Sequence, residues 1–230
     1  MIDFSEKGKT IAFLKRIPLF SGLTEEELEE IVHIFKENFY KKNEVIFREE
    51  DTGKHMYIVK FGKVKVVQTS KFGKENIVAI HNEGDTFGEL SLIDGKTMPA
   101  TVLAMEDCKI ISVDANYFRN VLLQNKKILN NLINVLCQKL RTSFKLMKIL
   151  KYTSAFDRVK YLLADFGKIN GYEIEDGIKI NIKITHQEIA ELVGISRETA
   201  SRTISKLQSM GKLEVKEHYF ILKDREFWQV

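Results

Sequence analysis

A chain of 230 residues, 44% hydrophobic and 30% charged, has room for two modest domains with real cores and the composition of a soluble globular protein. No apolar run approaches the roughly 18 residues of a membrane span, and Met-Ile-Asp-Phe-Ser-Glu-Lys has no signal-peptide layout, so a cytoplasmic protein with no membrane partner is expected. Two cysteines, Cys108 and Cys137, make no disulfide framework and no zinc or iron–sulfur set, and a formal charge of +4 does not by itself establish a nucleic-acid partner.

The pattern over 24–38 predicts an amphipathic helix: Thr24 caps it, acids fill the first turn, and Leu28, Ile31, Val32 and Phe35 share a stripe. From Tyr40 to Val113 short β-rich runs follow at 44–47, 56–59, 64–68, 77–80, 100–104 and 109–113. Gly53, Gly62, Gly73, Gly84 and Gly95 punctuate them, roughly ten residues apart, the rhythm of an antiparallel sandwich or roll. Asp114 caps a further helix, and from Asn125 a long helix runs to about Tyr152. Along it Leu129, Ile133, Leu136, Leu140, Ser143, Met147 and Leu150 alternate in steps of four and three, a heptad seam that suggests parallel pairing between two subunits. Packing of that helix on its own domain is the alternative. Lys126, Lys127, Lys139, Arg141, Lys145, Lys148 and Lys151 lie on the same stretch without an acid and read mostly as a solvated face.

Ser154 and Asp157 form a capping box for a helix through Phe166, with a hinge at Thr153–Ser154. A Gly171/Gly177 hairpin follows, and 212–216 with 219–223 make a β-wing. The expected organisation is a β-rich domain over 1–124, a long pairing helix over 125–153 and a C-terminal domain over 154–230. Residues 152–230 carry twelve Lys/Arg and twelve Asp/Glu. Any electrostatic footprint there must be local, from Arg197, Arg202, Lys206 and Lys212.

The most informative stretch is 185–211. Thr185 with Glu188 is a capping box, and Ile189, Ala190 and Val193 give an apolar face. Gly194 supplies a turn, Ser196 caps a second helix anchored by Ile204 and Leu207, and Gly211 ends it. Arg197, Glu198, Ser201 and Arg202 share one face near that helix's N-terminus, where a helix-turn-helix presents side chains to the major groove. An Arg fork matches guanine O6 and N7, and a carboxylate accepts from cytosine N4. Thr185, His186, Ser196, Thr199 and Lys206 are the further candidates for DNA contact. A solvated face of an ordinary helical hairpin is the bland alternative.

With both halves in view the chain resembles the CRP/FNR family of bacterial transcription regulators. The motifs are Ile-Pro-Leu-Phe-Ser-Gly-Leu (17–23), Glu-Val-Ile-Phe-Arg (44–48), Met-Tyr-Ile-Val-Lys-Phe-Gly-Lys-Val-Lys-Val (56–66), Gly-Asp-Thr-Phe-Gly-Glu-Leu-Ser-Leu-Ile-Asp-Gly (84–95) and the helix-turn-helix. The resemblance implies an α+β fold: an N-terminal antiparallel, jelly-roll-like β-roll of the cyclic-nucleotide-binding type with flanking helices, a long dimerisation helix and a C-terminal winged helix-turn-helix. It implies no enzyme, but a homodimer on an inverted repeat in double-stranded DNA, with RNA polymerase as a further partner if the protein activates. Arg197, Glu198 and Arg202 match the cAMP-receptor branch, which reads TGTGA-type half-sites. Glu198, Ser201 and Arg202 match the FNR branch and TTGA-type half-sites equally well.

In the sensing half Gly88, Glu89 and Leu90 match the family, but Met98 and Pro99 stand where cAMP-binding members carry Arg-Ser or Arg-Ala. A phosphate opposite Met98 would lack its counter-charge. Ser143 could replace the base-contacting Thr of the long helix, while Phe144 occupies the next hydroxyl's place. The expectation is therefore an unknown non-cAMP effector or none, with no cofactor or metal assigned and Glu89 satisfying nearby backbone amides. A cAMP-dependent regulator with an atypical pocket and a haem-based gas sensor using His33, His55 or His81 are the alternatives. Cys137 reads as an inert buried thiol, or as an intersubunit disulfide.

Overall fold

The computed structural model describes residues 4–69, 75–152, 154–181, 184–216 and 219–229, so Gly73 and Thr153, half of the expected hinge, lie outside the described residues. In chain order come α1 (Phe4–Leu14), α2 (Glu25–Ile31), β1 (Phe35–Tyr40), β2 (Val45–Phe47), β3 (His55–Phe61), β4 (Val64–Thr69), β5 (Glu75–His81), β6 (Thr86–Phe87), α3 (Leu90–Asp94), β7 (Thr101–Ala104), β8 (Cys108–Asp114) and α4 (Ala115–Tyr117). Next are α5 (Lys126–Leu150), α6 (Ala155–Asn170), β9 (Gly171–Ile174), β10 (Gly177–Ile180), α7 (His186–Val193), α8 (Arg197–Ser209), β11 (Leu213–Lys216) and β12 (Tyr219–Leu222). The residues fall into two compact units, 1–139 and 140–230, so α5 contributes its first part to one and its last part to the other.

The first unit is a β-roll of two antiparallel sheets, ordered β1-β8-β3-β6 and β2-β7-β4-β5. Alternation along the strands separates two cores. Tyr57, Val59, Phe87, Cys108 and Ile110 of the first sheet meet Val64, Val102 and Ala104 of the second in the roll's interior. Met56, Ile58, Ile111 and Val113 point the other way, onto a layer built from Leu14, Leu19, Phe20, Leu28, Phe118 and, from α5, Ile128 and Leu132. Both faces of β3 and β8 are therefore buried, and truncating Ile58, which is fully buried, to Ala should cost about 2–5 kcal/mol.

The helix expected over 24–38 is a correction. Its capping box at Thr24 and Glu27 is present, but α2 ends at Ile31 and Phe35 opens β1. Phe35 has helical spacing from Leu28, yet it pairs with Val113 of β8 and sets its ring edge-on to Phe20 at 5.6 Å. As a strand the segment also pairs the backbone groups along one edge of β8, which one more helical turn would leave without partners. Helices α1 and α3 and strands β1 and β6 are additions to the sequence reading; each is short or only weakly periodic.

The second unit packs Leu146 and Ile149 of α5 and Val159, Leu162 and Leu163 of α6 against Ile189, Val193, Ala200, Ile204 and Leu207 of the α7–α8 pair. A four-stranded antiparallel sheet, β11-β12-β10-β9, closes it. Gly177 sits at φ +145° where a Cβ would lie 2.2 Å from the Leu222 carbonyl oxygen, so this crossing of β10 and β12 excludes any side chain. Trp228 is buried, and its Nε1–H donates to the carbonyls of Lys212 and Lys223 at 3.0 and 2.7 Å, clasping the strand ends of the wing. Arg158 of α6 donates from Nε to Tyr152 O at 2.7 Å and from Nη1 to Val193 O at 3.2 Å, fastening the end of α5 and the end of α7 to one guanidinium.

Candidate nucleic-acid interface and effector site

Helix α7 starts in a complete capping box: Glu188 N donates to Thr185 Oγ1 at 3.1 Å and Thr185 N to Glu188 Oε2 at 2.6 Å. It stops at Gly194, whose φ of +66° is the left-handed conformation an L side chain disfavours, while Ile195 N reaches back to Ala190 O at 2.9 Å. Ser196 then caps α8, accepting from Thr199 N at 3.2 Å with the two hydroxyls 2.9 Å apart. Thr185, Ser196 and Thr199 thus have structural duties. Their caps fix the turn that sets the α8 N-terminus outward.

On that N-terminus Arg197, Glu198 and Arg202 are exposed. Arg202 Nη2 lies 3.4 Å from Thr199 Oγ1, a weak hold on an otherwise extended side chain. Ser201, at the same face, is half-buried, and its Oγ is 3.0 Å from Nδ1 of His186 on α7. Burial first, and then the Arg197 charge, hold the His186 pKa below its usual 6.5. A cationic face stands at Arg197 and Arg202. Beyond them Lys206 is exposed and keeps its charge with its ammonium 5.1 Å over the Phe156 ring, while Lys212 is ion-paired with Asp224.

In the roll, Gly88 has φ +79° and a Cβ there would meet Tyr57 Cδ2 at 2.9 Å, so the loop lies flat against that ring. Glu89 is 1% exposed, and Leu90 beside it is exposed on α3. Glu89 does not satisfy backbone amides as the sequence reading proposed. Its Oε1 accepts from Lys139 Nζ of α5 at 2.8 Å, and the same ammonium donates to Thr86 O at 2.7 Å. Glu89 Oε2 and Thr86 Oγ1 are buried without a hydrogen-bond partner. Met98 is 2% exposed and takes a 2.9 Å hydrogen bond on Sδ from Ser91 Oγ, while Pro99 is exposed. Ser143 and Phe144 belong to the second unit, both on the exposed side of α5.

Lys139 is the residue sequence reasoning passed over, since it read as one of several solvated lysines. Lys127 and Lys145 likewise find acids, Glu27 and Asp165, each at 2.8 Å. On the seam, Leu129, Ile133, Leu140, Met147 and Leu150 are exposed in the single chain and Leu136 is half-buried. Cys137, expected as an inert buried thiol, is exposed in the single chain, while Cys108 is buried and its pKa is raised by burial. His55 and His81 lay their rings against Tyr57 and Phe87, and His33 meets Tyr117 edge-on.

Comparison with known proteins covers both halves. Residues 37–125 match the model of the cyclic nucleotide-binding domain and residues 157–227 that of the Crp-like helix-turn-helix domain. The chain is 30% identical over 198 residues to the cyclic AMP receptor protein of Thermus thermophilus, covering 86% of this chain and 88% of that one. The chain belongs to the CRP/FNR family. A CRP/FNR protein is a DNA-binding transcription regulator and not an enzyme, in keeping with the helix-turn-helix built here. This regulator is also 32% identical to the cAMP-activated global transcriptional regulator CRP of Salmonella typhimurium, over 78% of its own length and 84% of the relative's. A solved CooA mutant from Carboxydothermus hydrogenoformans gives a TM-score of 0.75 at 25% identity, covering 87% and 88% of the two chains. FixK2 of Bradyrhizobium japonicum, at 22% identity and a TM-score of 0.71, shares the fold over 85% of this chain and 96% of that one.

Proposed function

We propose that this regulator is a cytoplasmic homodimer that binds an inverted repeat in duplex DNA under the control of a non-cAMP effector, or of none. The DNA part of this reading rests on Arg197, Glu198 and Arg202 standing exposed on an α8 N-terminus held by its own caps. They supply guanine and cytosine recognition at a TGTGA- or TTGA-type half-site. Two such heads would meet successive major grooves about 34–36 Å apart. The apolar seam of α5, from Leu129 to Leu150, is the surface offered for pairing. Polymerase contact follows only if the protein activates.

The effector part rests on Met98. Where a phosphate counter-charge would stand, the side chain is buried and its sulfur is committed to Ser91. Lys139 brings a cation to Glu89 of the neighbouring Gly88–Leu90 loop, but the two are engaged with each other and the pair carries no net charge. The Gly88–Leu90 loop, Met98 and Pro99 remain the candidate effector contacts of the first unit, and Ser143 and Phe144 those of the second unit's part of α5. Occupancy there would bias α5 and the chain near Ser154, and so the spacing of two recognition helices.

A second reading, a cAMP-dependent regulator with an atypical pocket, draws on that same Lys139 ammonium and on relatives named as cAMP-activated. Fluorescence anisotropy of the purified protein on palindromic TGTGA and TTGAT duplexes, with and without cAMP, separates the two. Selective binding without cAMP is the expected result, and selective binding only with cAMP would overturn the effector reading.

A further inference from the structure

The His186–Ser201 contact joins two residues from different helices at the edge of the reading face. Ser201 is four residues after Arg197 and one before Arg202, so its hydroxyl shares their side of α8. Nδ1 of His186 is 3.0 Å from Ser201 Oγ, and Phe220 of β12 backs the imidazole with its ring centroid 6.3 Å away. Arg197 is the charged neighbour facing the ring from α8.

We infer that His186 is a positioning residue for base reading, setting whether Ser201 offers the groove an acceptor or a donor. The inference rests on the reading above, in which the α8 N-terminus enters the major groove. An imidazole nitrogen bearing a lone pair accepts from a hydroxyl, so in the neutral Nε2–H tautomer the Ser201 O–H donates to Nδ1. Ser201 Oγ then faces the base edges with lone pairs only. Such an atom recognises adenine N6 or cytosine N4, both of which donate, and rejects guanine O6 or thymine O4. Protonation of His186 reverses the bond: Nδ1–H donates to Oγ, and the serine O–H is released to donate to an acceptor on the base.

Burial and Arg197 both favour the neutral ring, and it is the Nε2–H tautomer of that ring that gives the acceptor state. The preference would be fixed by a residue outside α8, which matching of recognition-helix residues alone does not capture.

The test is an anisotropy series on duplexes carrying each of the four base pairs at every half-site position, at pH 7.5 and 5.5. For the wild type one position should prefer A or C by roughly 3- to 10-fold at pH 7.5, the scale of one hydrogen bond, and shift toward G or T at pH 5.5. S201A and H186L should each flatten that position alone, with the double variant no flatter than either. H186N, whose amide can occupy the Nδ1 place, should keep the preference and lose its pH shift. Far-UV circular dichroism establishes that each variant is folded, and S201A carries the test if H186L is not. Uniform weakening on every duplex with H186L, or an unchanged profile with S201A, would overturn the inference. A wild type without any base-pair selectivity would instead overturn the underlying groove reading.

Discussion

The two units of this regulator handle charge in opposite ways. In the second, Arg197, Glu198 and Arg202 stand exposed on a short helix whose caps come from Ser196 and Thr199 next to them in sequence. In the first, Glu89 is buried and its counter-ion, Lys139, comes from 50 residues further along the chain. A reading head must leave its charges unsatisfied until DNA supplies partners. The roll instead pairs its buried carboxylate within its own unit, so that charge is committed before any outside partner arrives.

The largest effect should come from the seam that spans both units. The double variant I133E/L140E places two acids in the exposed apolar row and should give a monomer by light scattering, with operator affinity lowered on the order of 100-fold as bivalent engagement is lost. A dimer that survives would move the interface elsewhere. Next, K139A leaves the Glu89 carboxylate buried without its partner. Because the lysine side chain is 33% exposed, the cost should fall below that of a fully buried pair, at about 2 kcal/mol in urea unfolding. No loss would make the roll's charge as superficial as that of the head.

R202A should cost ~1–3 kcal/mol in operator binding and relax selectivity at one base pair, with little change in stability. T185A removes half of the α7 capping box and should lower stability by about 1 kcal/mol without altering base preference. The smallest effect is a pH slope. With the folded pKa of His186 held below 6.5, the unfolded chain takes up the proton first as pH falls. Melting temperature should therefore drift down from pH 7 toward 5.5, less so in H186N.

The same contrast explains what could be read from the sequence. The head was legible because its information is local: a cap and its acid three residues apart, a glycine at the only left-handed position of the turn, and four polar residues on one face. Thr185, Gly194 and Ser196 all do what their spacing implied. The strand runs of the roll were legible for the same reason. Phe35 was not, since its helical spacing from Leu28 carries no trace of Val113, the partner that draws it into β1. Lys139 was hidden in a run of lysines, and no local pattern distinguishes the one that meets a buried acid. Ser201 and His186 were each legible as candidates, but their contact crosses the turn between two helices and only the fold brings it about.

One residue of the wing has a practical consequence. Trp228 is the chain's single tryptophan, buried with its indole N–H shared between two main-chain carbonyls. Excitation at indole wavelengths therefore reports one place in the molecule, without a label. Its emission should be blue-shifted while the clasp holds and move to the red when the wing frays, so operator binding and local fraying of the DNA-binding unit can be followed in the unmodified protein.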